Sequence, residues 1–351
     1  MKDYKINTLF ILFSSLFLLG IASFVSEGIS YRISERAQEL VAGTFFTKSV
    51  DYDDLRDRYE AVSEKDYSEL RSRRRKGLSN EPIKVLIVPG HDNENQGAKY
   101  KDTVEAELTQ QLAKDLFYLF KDEEAFSVKL SRDEDGYDEK LLKYFERQES
   151  EIRDFKNKYQ QEMNKLVQEG KVDLVNGLFH NSAPSDVAMR LYGINKWVNE
   201  NEYDIVLHIH FNDYSGRQID SIGEYNGFSI YVPEKQFSNA EASREFSEFI
   251  FDQLSTVIDK SNLPGEKDGI IEDQELIAIG AYNTVDAISI LVEYGYIYEY
   301  IFNEPEMRDD VLEELAFQTF TGIKNFFNEE DISNESTLKK GTSAYKFLKS
   351  K

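Results

Sequence analysis

The stretch DIVLHIHFN, residues 204–212, places two of the chain's four histidines one residue apart in an apolar run. Side chains alternate across a strand with period two. Val206, His208, His210 and Asn212 therefore share one face, and Ile205, Leu207, Ile209 and Phe211 share the other. A strand whose carboxyl end turns polar suits an open α/β sheet, in which ligands bind beyond the carboxyl ends of the strands. Two imidazoles on one face is metal-site geometry. A pair of satisfied core histidines is the other reading, and the rest of the chain has to decide between them.

Composition narrows the chemistry. The 351 residues suffice for one large domain with appendages. A formal net charge of -23, with 30% of residues charged, argues against non-specific nucleic-acid binding, because phosphate would be repelled. There is no cysteine, which excludes thiolate catalysis, disulfides and Cys-type zinc sites. Any soft-metal site must use His and carboxylate.

Towards the amino terminus, residues 6–26 form a run of 21 without a charge, with Lys2 and Lys5 just before it. That is long enough to cross a bilayer core of about 30 Å. Gly20-Ile21-Ala22 offers a small-x-small site, so a cleaved signal peptide stays open as the alternative. The reading adopted is an uncleaved signal anchor over residues 1–26, with the amino terminus inside. The protein is then expected as a single-pass cell-membrane protein whose domain is extracytoplasmic, or as a secreted one if the segment is cleaved. Residues 27–80 are polar and helix-prone, with a basic block at 71–76, and are expected to form a solvated helical stalk. Residues 331–351 are expected to be a disordered tail.

Between these lies the region expected as the folded domain, residues 81–330. IKVLIV, residues 83–88, is stopped by Pro89-Gly90 and reads as a buried first strand that delivers His91 into a polar loop. A helix opening near residues 103–104 follows, with Leu108, Leu112, Leu116 and Phe120 as its apolar stripe. Glu105 lies three before Leu108 and seven before Leu112, so its carboxylate is on the buried face in the first turn. A buried carboxylate needs a proton, a cation or a metal; the alternative is a glutamate serving the helix N-terminus. Residues 126–130 read as a second strand. Leu141, Phe145, Ile152, Phe155, Tyr159, Met163 and Leu166 recur at helical spacing, which predicts one long amphipathic helix ended by Gly170, within an insertion over residues 138–185. His180 reads as an ordinary loop histidine. Helices are expected over 186–199, 239–260 and 307–327, and a strand over 228–232. In ISILVEYGY, residues 288–296, Glu293 interrupts an otherwise buried strand. A carboxyl held there has its pKa raised, as a general acid-base requires near neutral pH.

His91, Glu105 and the His208/His210 pair thus arrive from three elements, and Glu293 from a fourth. Two His and one Glu with an open fourth position is a recurring hydrolytic zinc site. The fold class expected is α/β: a mostly parallel twisted sheet flanked by helices, with an N-terminal transmembrane helix and a long helical insertion.

Four fragments, PGH (89–91), EAELTQQLAKDL (105–116), HIHFN (208–212) and LVEYGY (291–296), resemble in order and spacing the zinc-dependent N-acetylmuramoyl-L-alanine amidases. These peptidoglycan hydrolases carry a Gly-His loop, a helix-opening Glu, an S-I-H-x-N strand and an L-V-E-x-G-F strand. The resemblance covers 83 to about 133 and 186 to about 327, and implies a phosphorylase/hydrolase-like sheet. It implies that His91, Glu105 and His210 hold Zn²⁺ and that Glu293 is the catalytic acid-base. His208 stands where the family commonly has Ser, and is implied to stand behind the metal ligands or to contact substrate rather than to bind metal; Asn212 is implied to bind substrate. Val88 and the pair Asp92-Asn93 depart from the family's acidic residue and Gly pair around Pro-Gly-His. The partners implied are peptidoglycan and an activator protein acting on the insertion; the uncharged run at 6–26 adds the membrane, through the N-terminal helix. Some relatives carry helical inserts that occlude the zinc; a helix packed on the domain's flank is the competing reading. Two other functional readings stand beside the enzyme. One is an amidohydrolase barrel, which needs two further histidine ligands when only His91 and His180 remain. The other is a non-catalytic, membrane-tethered cell-wall-binding protein with an amidase-like domain.

Overall fold

β-Branched and leucine-rich runs bounded by turn residues form the six strands of one sheet in this computed structural model, which describes residues 82–175, 177, 183–328 and 342–348. They are β1 (Ile83–Pro89), β2 (Phe126–Leu130), β3 (Ile205–Asn212), β4 (Ser229–Pro233), β5 (Ile270–Asp273) and β6 (Ile288–Tyr296). Their order is β2-β1-β3-β6-β4-β5. β2, β1, β3 and β6 run parallel, β4 is antiparallel to β6, and β5 is parallel to β4. The sheet is therefore mixed but mostly parallel. β5 escapes sequence reading because IIED is four residues long and ends in two acids.

Both faces of β3 are covered, which fits the apolar set Ile205, Leu207, Ile209 and Phe211 on one face and the buried Val206 and His208 on the other. Helices α1 (Glu105–Leu119), α5 (Ala240–Leu254) and α6 (Pro305–Asn328) lie on one face. There Leu108, Leu112, Leu116, Phe246, Ile250 and Leu254 meet Ile205, Leu207, Ile209 and Phe211. On the other face, α2 (Glu139–Arg147) and α4 (Ser185–Glu200) bring Leu141, Ile194 and Val198 onto Leu86, Val88 and Val206. Each such side chain contributes about 1.5–3 kcal/mol by leaving water.

Three expectations need correction. The long insertion helix is two helices, α2 and α3 (Glu149–Gln168), broken at Gln148, where φ is -111° and ψ is 18°. Phe145 and Ile152 are seven apart and stay on one face across the break, so their spacing does not reveal it. The helix expected over 239–260 stops at Leu254, and Val257 and Ile258 reach the core from turns instead. In the tail, Ser343–Leu348 is a helix, α7, with Ala344 and Leu348 buried in the main core.

Residues 1–26, the 27–80 stalk and His180 lie outside the described residues. Among the described residues no helix is long and apolar enough to cross a membrane. By their contacts, residues 167–174 form a piece separate from the main unit, with a turn from Gly170 N to Val167 O and a Lys171–Glu169 ion pair.

Gly322 marks where α6 meets α5: a Cβ there would lie 2.7 Å from Ile250 Cα and 2.8 Å from the Phe249 carbonyl oxygen. Alanine favours a helix interior over glycine by about 1 kcal/mol, but overpacking against backbone that cannot rotate away costs about 3 kcal/mol. Gly322→Ala is expected to lose about 2 kcal/mol in urea unfolding. A variant as stable as the parent would contradict this packing.

Candidate active site

β1 ends at Pro89, and the next peptide continues its ladder for one step, Gly90 N donating to Ile209 O at 2.8 Å. A Cβ on Gly90 would fall 2.3–2.6 Å from three atoms of the His210 ring, so the close approach of loop to imidazole needs glycine. His91 then takes a left-handed conformation, φ 62°, a conformation that L-residues adopt at some energetic cost. The loop folds back through Gly97 (φ 76°), whose missing Cβ would sit 2.4 Å from Glu105 Oε2 and 2.5 Å from His91.

The strained turn is held from outside. Asp92 accepts from the backbone of Glu94 (2.9 Å) and Asn95 (2.8 Å). Arg190 on α4 pairs with Asp92 at 2.6 Å and Glu94 at 2.7 Å and lies over the Tyr137 ring. Asp92, a departure from the family pattern, thus anchors the loop. On the inner side, buried Arg132 donates to Pro89 O (3.2 Å), Gly90 O (2.7 Å), Ala106 O (2.9 Å) and Thr109 Oγ1 (3.0 Å). It fastens the loop carrying His91 to the first turns of α1, which carry Glu105. Sequence reading missed Arg132 because SRDED looks like a solvated turn.

Glu105 is the first residue of α1. Val104 is the cap, and no side chain caps the amides there; the Glu105 carboxylate turns instead to the imidazoles. Oε2 lies 3.1 Å from His91 Nε2 and Oε1 3.0 Å from His210 Nδ1. Ala98 N and Phe211 N also donate to it, at 2.7 and 3.2 Å. One ligand-type atom from each of His91, Glu105 and His210 lies within 4.8 Å of the others. Burial opposes charge on all three. For Glu105 the two histidines outweigh burial and hold the carboxyl well below the usual carboxylate range. For His91 burial is outweighed by Glu105, and its pKa rises; for His210 burial prevails, and its pKa falls. A buried carboxylate clasped by two imidazoles is a donor set suited to a cation.

Glu293 on β6 sits in register opposite His210 on one side and Ser229 on the other. A register shift follows it, between Glu293 and Tyr296, with Gly295 at φ 148°; such bulges re-aim side chains beside sites. Its Oε2 is buried without a hydrogen bond. Burial first, then the nearby Glu105 and Glu266, raise its carboxyl pKa well above the ordinary value.

The HxH pair divides. His210 joins the cluster, whereas His208 is 0% exposed, between Val88 of β1 and Leu291 of β6 in the ladder. It presents no surface to a substrate in this structure, which corrects the substrate-contacting alternative and leaves it behind His210: alternation gives the face of a side chain but not its depth below the carboxyl edge. Asn212, partly exposed at that edge, donates from Nδ2 to Glu266 at 2.8 Å. The insertion packs on α4: Phe145 and Ile152 close over Gly193, and Lys156 lies over the Tyr192 ring.

The fold and the site define a hydrolase-type α/β domain with a His/Glu/His cluster and a neighbouring carboxylic acid. A family model for N-acetylmuramoyl-L-alanine amidase matches residues 85–325, and the chain belongs to that family of peptidoglycan hydrolases. It is an N-acetylmuramoyl-L-alanine amidase in activity. Solved structures similar to it include the CwlD amidase of Clostridioides difficile in complex with the GerS lipoprotein, at 15% identity and TM-score 0.46, covering 71% of this chain and 100% of that one. Another is the amidase Ami1 of Mycobacterium smegmatis, at 15% identity and TM-score 0.44, covering 71% and 98%. No curated protein matches the chain.

His208 makes a test independent of activity. Burial first, and then His210, pushes its pKa from 6.5 down to about 3. Below pH 6.5 the unfolded chain takes up a proton that the folded chain refuses until about 3, so stability falls on acidification through that window. Between pH 7.5 and about 4.5 the parent is expected to lose about 2–3 kcal/mol more than His208→Leu, by urea unfolding. Equal losses would contradict the burial of this imidazole.

Proposed function

We propose that His91, Glu105 and His210 hold one Zn²⁺ and that Glu293 is the acid-base in hydrolysis of the amide between the lactyl group of N-acetylmuramic acid and L-Ala. The observation that carries this reading is the convergence of the three ligand-type atoms within 4.8 Å, with the Glu293 carboxyl in register beside His210. The donor set fits the metal: two imidazole nitrogens and a carboxylate oxygen are what zinc takes in hydrolytic sites, in a chain that has no cysteine. Zinc held there supplies a Lewis acid for the amide carbonyl and lowers the pKa of water to about 7.

The chain's own groups account for the remaining steps. Gly90 and Gly97 leave room for the two imidazoles, and Arg132 and Arg190 hold the loop so that His91 stays facing Glu105. Glu293, with its raised proton affinity, takes a proton from the attacking water at its carboxylate and returns it to the leaving amine nitrogen. The cell-wall-binding alternative has no use for an acid beside a complete ligand set.

The uncharged run at 6–26 supports a signal anchor that places this domain outside the membrane, where peptidoglycan lies. The packing of α2 and α3 on α4 supports a flanking role for the insertion; an activator bound to it would act through Arg190 on the His91 loop.

Glu293→Gln is expected to keep one zinc per chain and to release stem peptides from purified cell wall about 10³-fold more slowly. His210→Ala is expected to lose the zinc and the activity together. A Glu293→Gln protein working at the parent rate, or an active parent free of zinc, would refute the assignment.

A further inference from the structure

Glu266 is a buried carboxylate beside the site to which the reaction above gives no task. It lies in the turn NLPGEKDG among exposed neighbours, yet is 1% exposed. The turn is pinned by Ser261 N to Phe228 O at 2.7 Å, by the exchange of Asn262 N to Asn226 O and Asn226 N to Asn262 Oδ1, and by Gly269 N to Glu266 O at 2.8 Å. These bonds turn Glu266 inward. Four donors meet it: Asn212 Nδ2 (2.8 Å) and the Tyr231 hydroxyl (2.6 Å) on Oε1, the Tyr296 hydroxyl (3.1 Å) and the Ser261 hydroxyl on Oε2.

Tyrosine and serine hydroxyls both donate and accept, so they could satisfy one another. An amide is different: it has one donor end and one acceptor end, and an acceptor-only partner decides which end faces it. Glu266 Oε1 fixes the Asn212 NH₂ inward. The amide oxygen is then left for the partly exposed side, at the carboxyl end of β3, two residues beyond His210 and paired in the ladder with Tyr296 of β6.

We propose that Glu266 is a positioning residue which locks the Asn212 side chain with its oxygen outward, so that Asn212 accepts a hydrogen bond from an amide N–H of the substrate. This rests on the site assigned above. It gives Asn212 a polarity that a sequence motif does not carry: it selects for an N–H at that point and against a carbonyl.

The test uses the zinc-loaded full chain and a soluble N-acetylmuramoyl peptide, with kcat, KM and zinc content measured for Asn212→Asp, Glu266→Gln and the double variant. Asn212→Asp sets two carboxylates face to face and is expected to raise KM about 10- to 100-fold, with a much smaller change in kcat. Glu266→Gln is expected to lose about threefold in kcat/KM, its amide oxygen still taking Asn212 while its NH₂ turns to hydroxyls that can accept. In the double variant Gln donates to Asp, and the second Asp oxygen again faces the substrate. It is expected to recover to within about fivefold of the parent, a coupling that independent sites do not show.

Two analogues identify the N–H: one with an O-acetyl group in place of the N-acetyl on the muramic acid, one N-methylated at the second peptide bond of the stem. One of them must abolish the KM difference between parent and Asn212→Asp. A double variant no better than Asn212→Asp, or a difference that survives in both analogues, overturns the proposal. A parent that does not cleave the muramoyl peptide at all would instead refute the assigned function.

Discussion

The interaction on which the site depends is the Glu105 carboxylate held between His91 and His210 at the carboxyl edge of a parallel sheet. A 5% exposed carboxylate is unfavourable by itself. It is tolerated because three separate parts of the chain converge on it: the end of β1, the first turn of α1 and the end of β3. The sheet order makes this convergence possible, since β1 and β6 flank β3 and their carboxyl ends point the same way. Glu293 reaches the same edge from β6 by register alone.

The supporting groups are arranged in depth. Arg132 fastens loop to helix from the inside, and Arg190 fastens the loop to α4 from the outside. His91, in a conformation that L-residues rarely adopt, stays where it is because both fastenings act on its loop. On the far side of β3 a second polar group, Glu266 with Asn212, Tyr231, Tyr296 and Ser261, stabilises the edge next to Glu293. It also adds negative charge near an acid whose proton affinity is already raised by burial. Two carboxyl groups in one chain thus hold opposite tendencies: Glu105 is kept ionised by imidazoles, and Glu293 is pushed towards the protonated form.

Five of the six strands were legible because short apolar runs bounded by turn residues have few other fates, and β1, β2, β3, β4 and β6 all lie where their runs predict. Glu105 was legible from its phase relative to Leu108 and Leu112. Depth was not: His208 and His210 have the same phase, and only the neighbouring strands put one below the surface and the other at the edge. Arg132, Arg190 and Glu266 sit in stretches as polar as any solvated loop, and their inward direction comes from contacts 20 to 100 residues away in the sequence. The break at Gln148 preserves the apolar phase on both sides and leaves no trace in the periodicity.

Three ligands gathered round one ion fix the position of that ion, and anomalous scattering locates it. Crystals of the zinc-loaded protein measured across the zinc absorption edge should give one anomalous peak, about 2.0–2.1 Å from a ring nitrogen of His91, a ring nitrogen of His210 and a carboxylate oxygen of Glu105. A peak elsewhere in the molecule, or none in protein that still cleaves its substrate, would contradict the account.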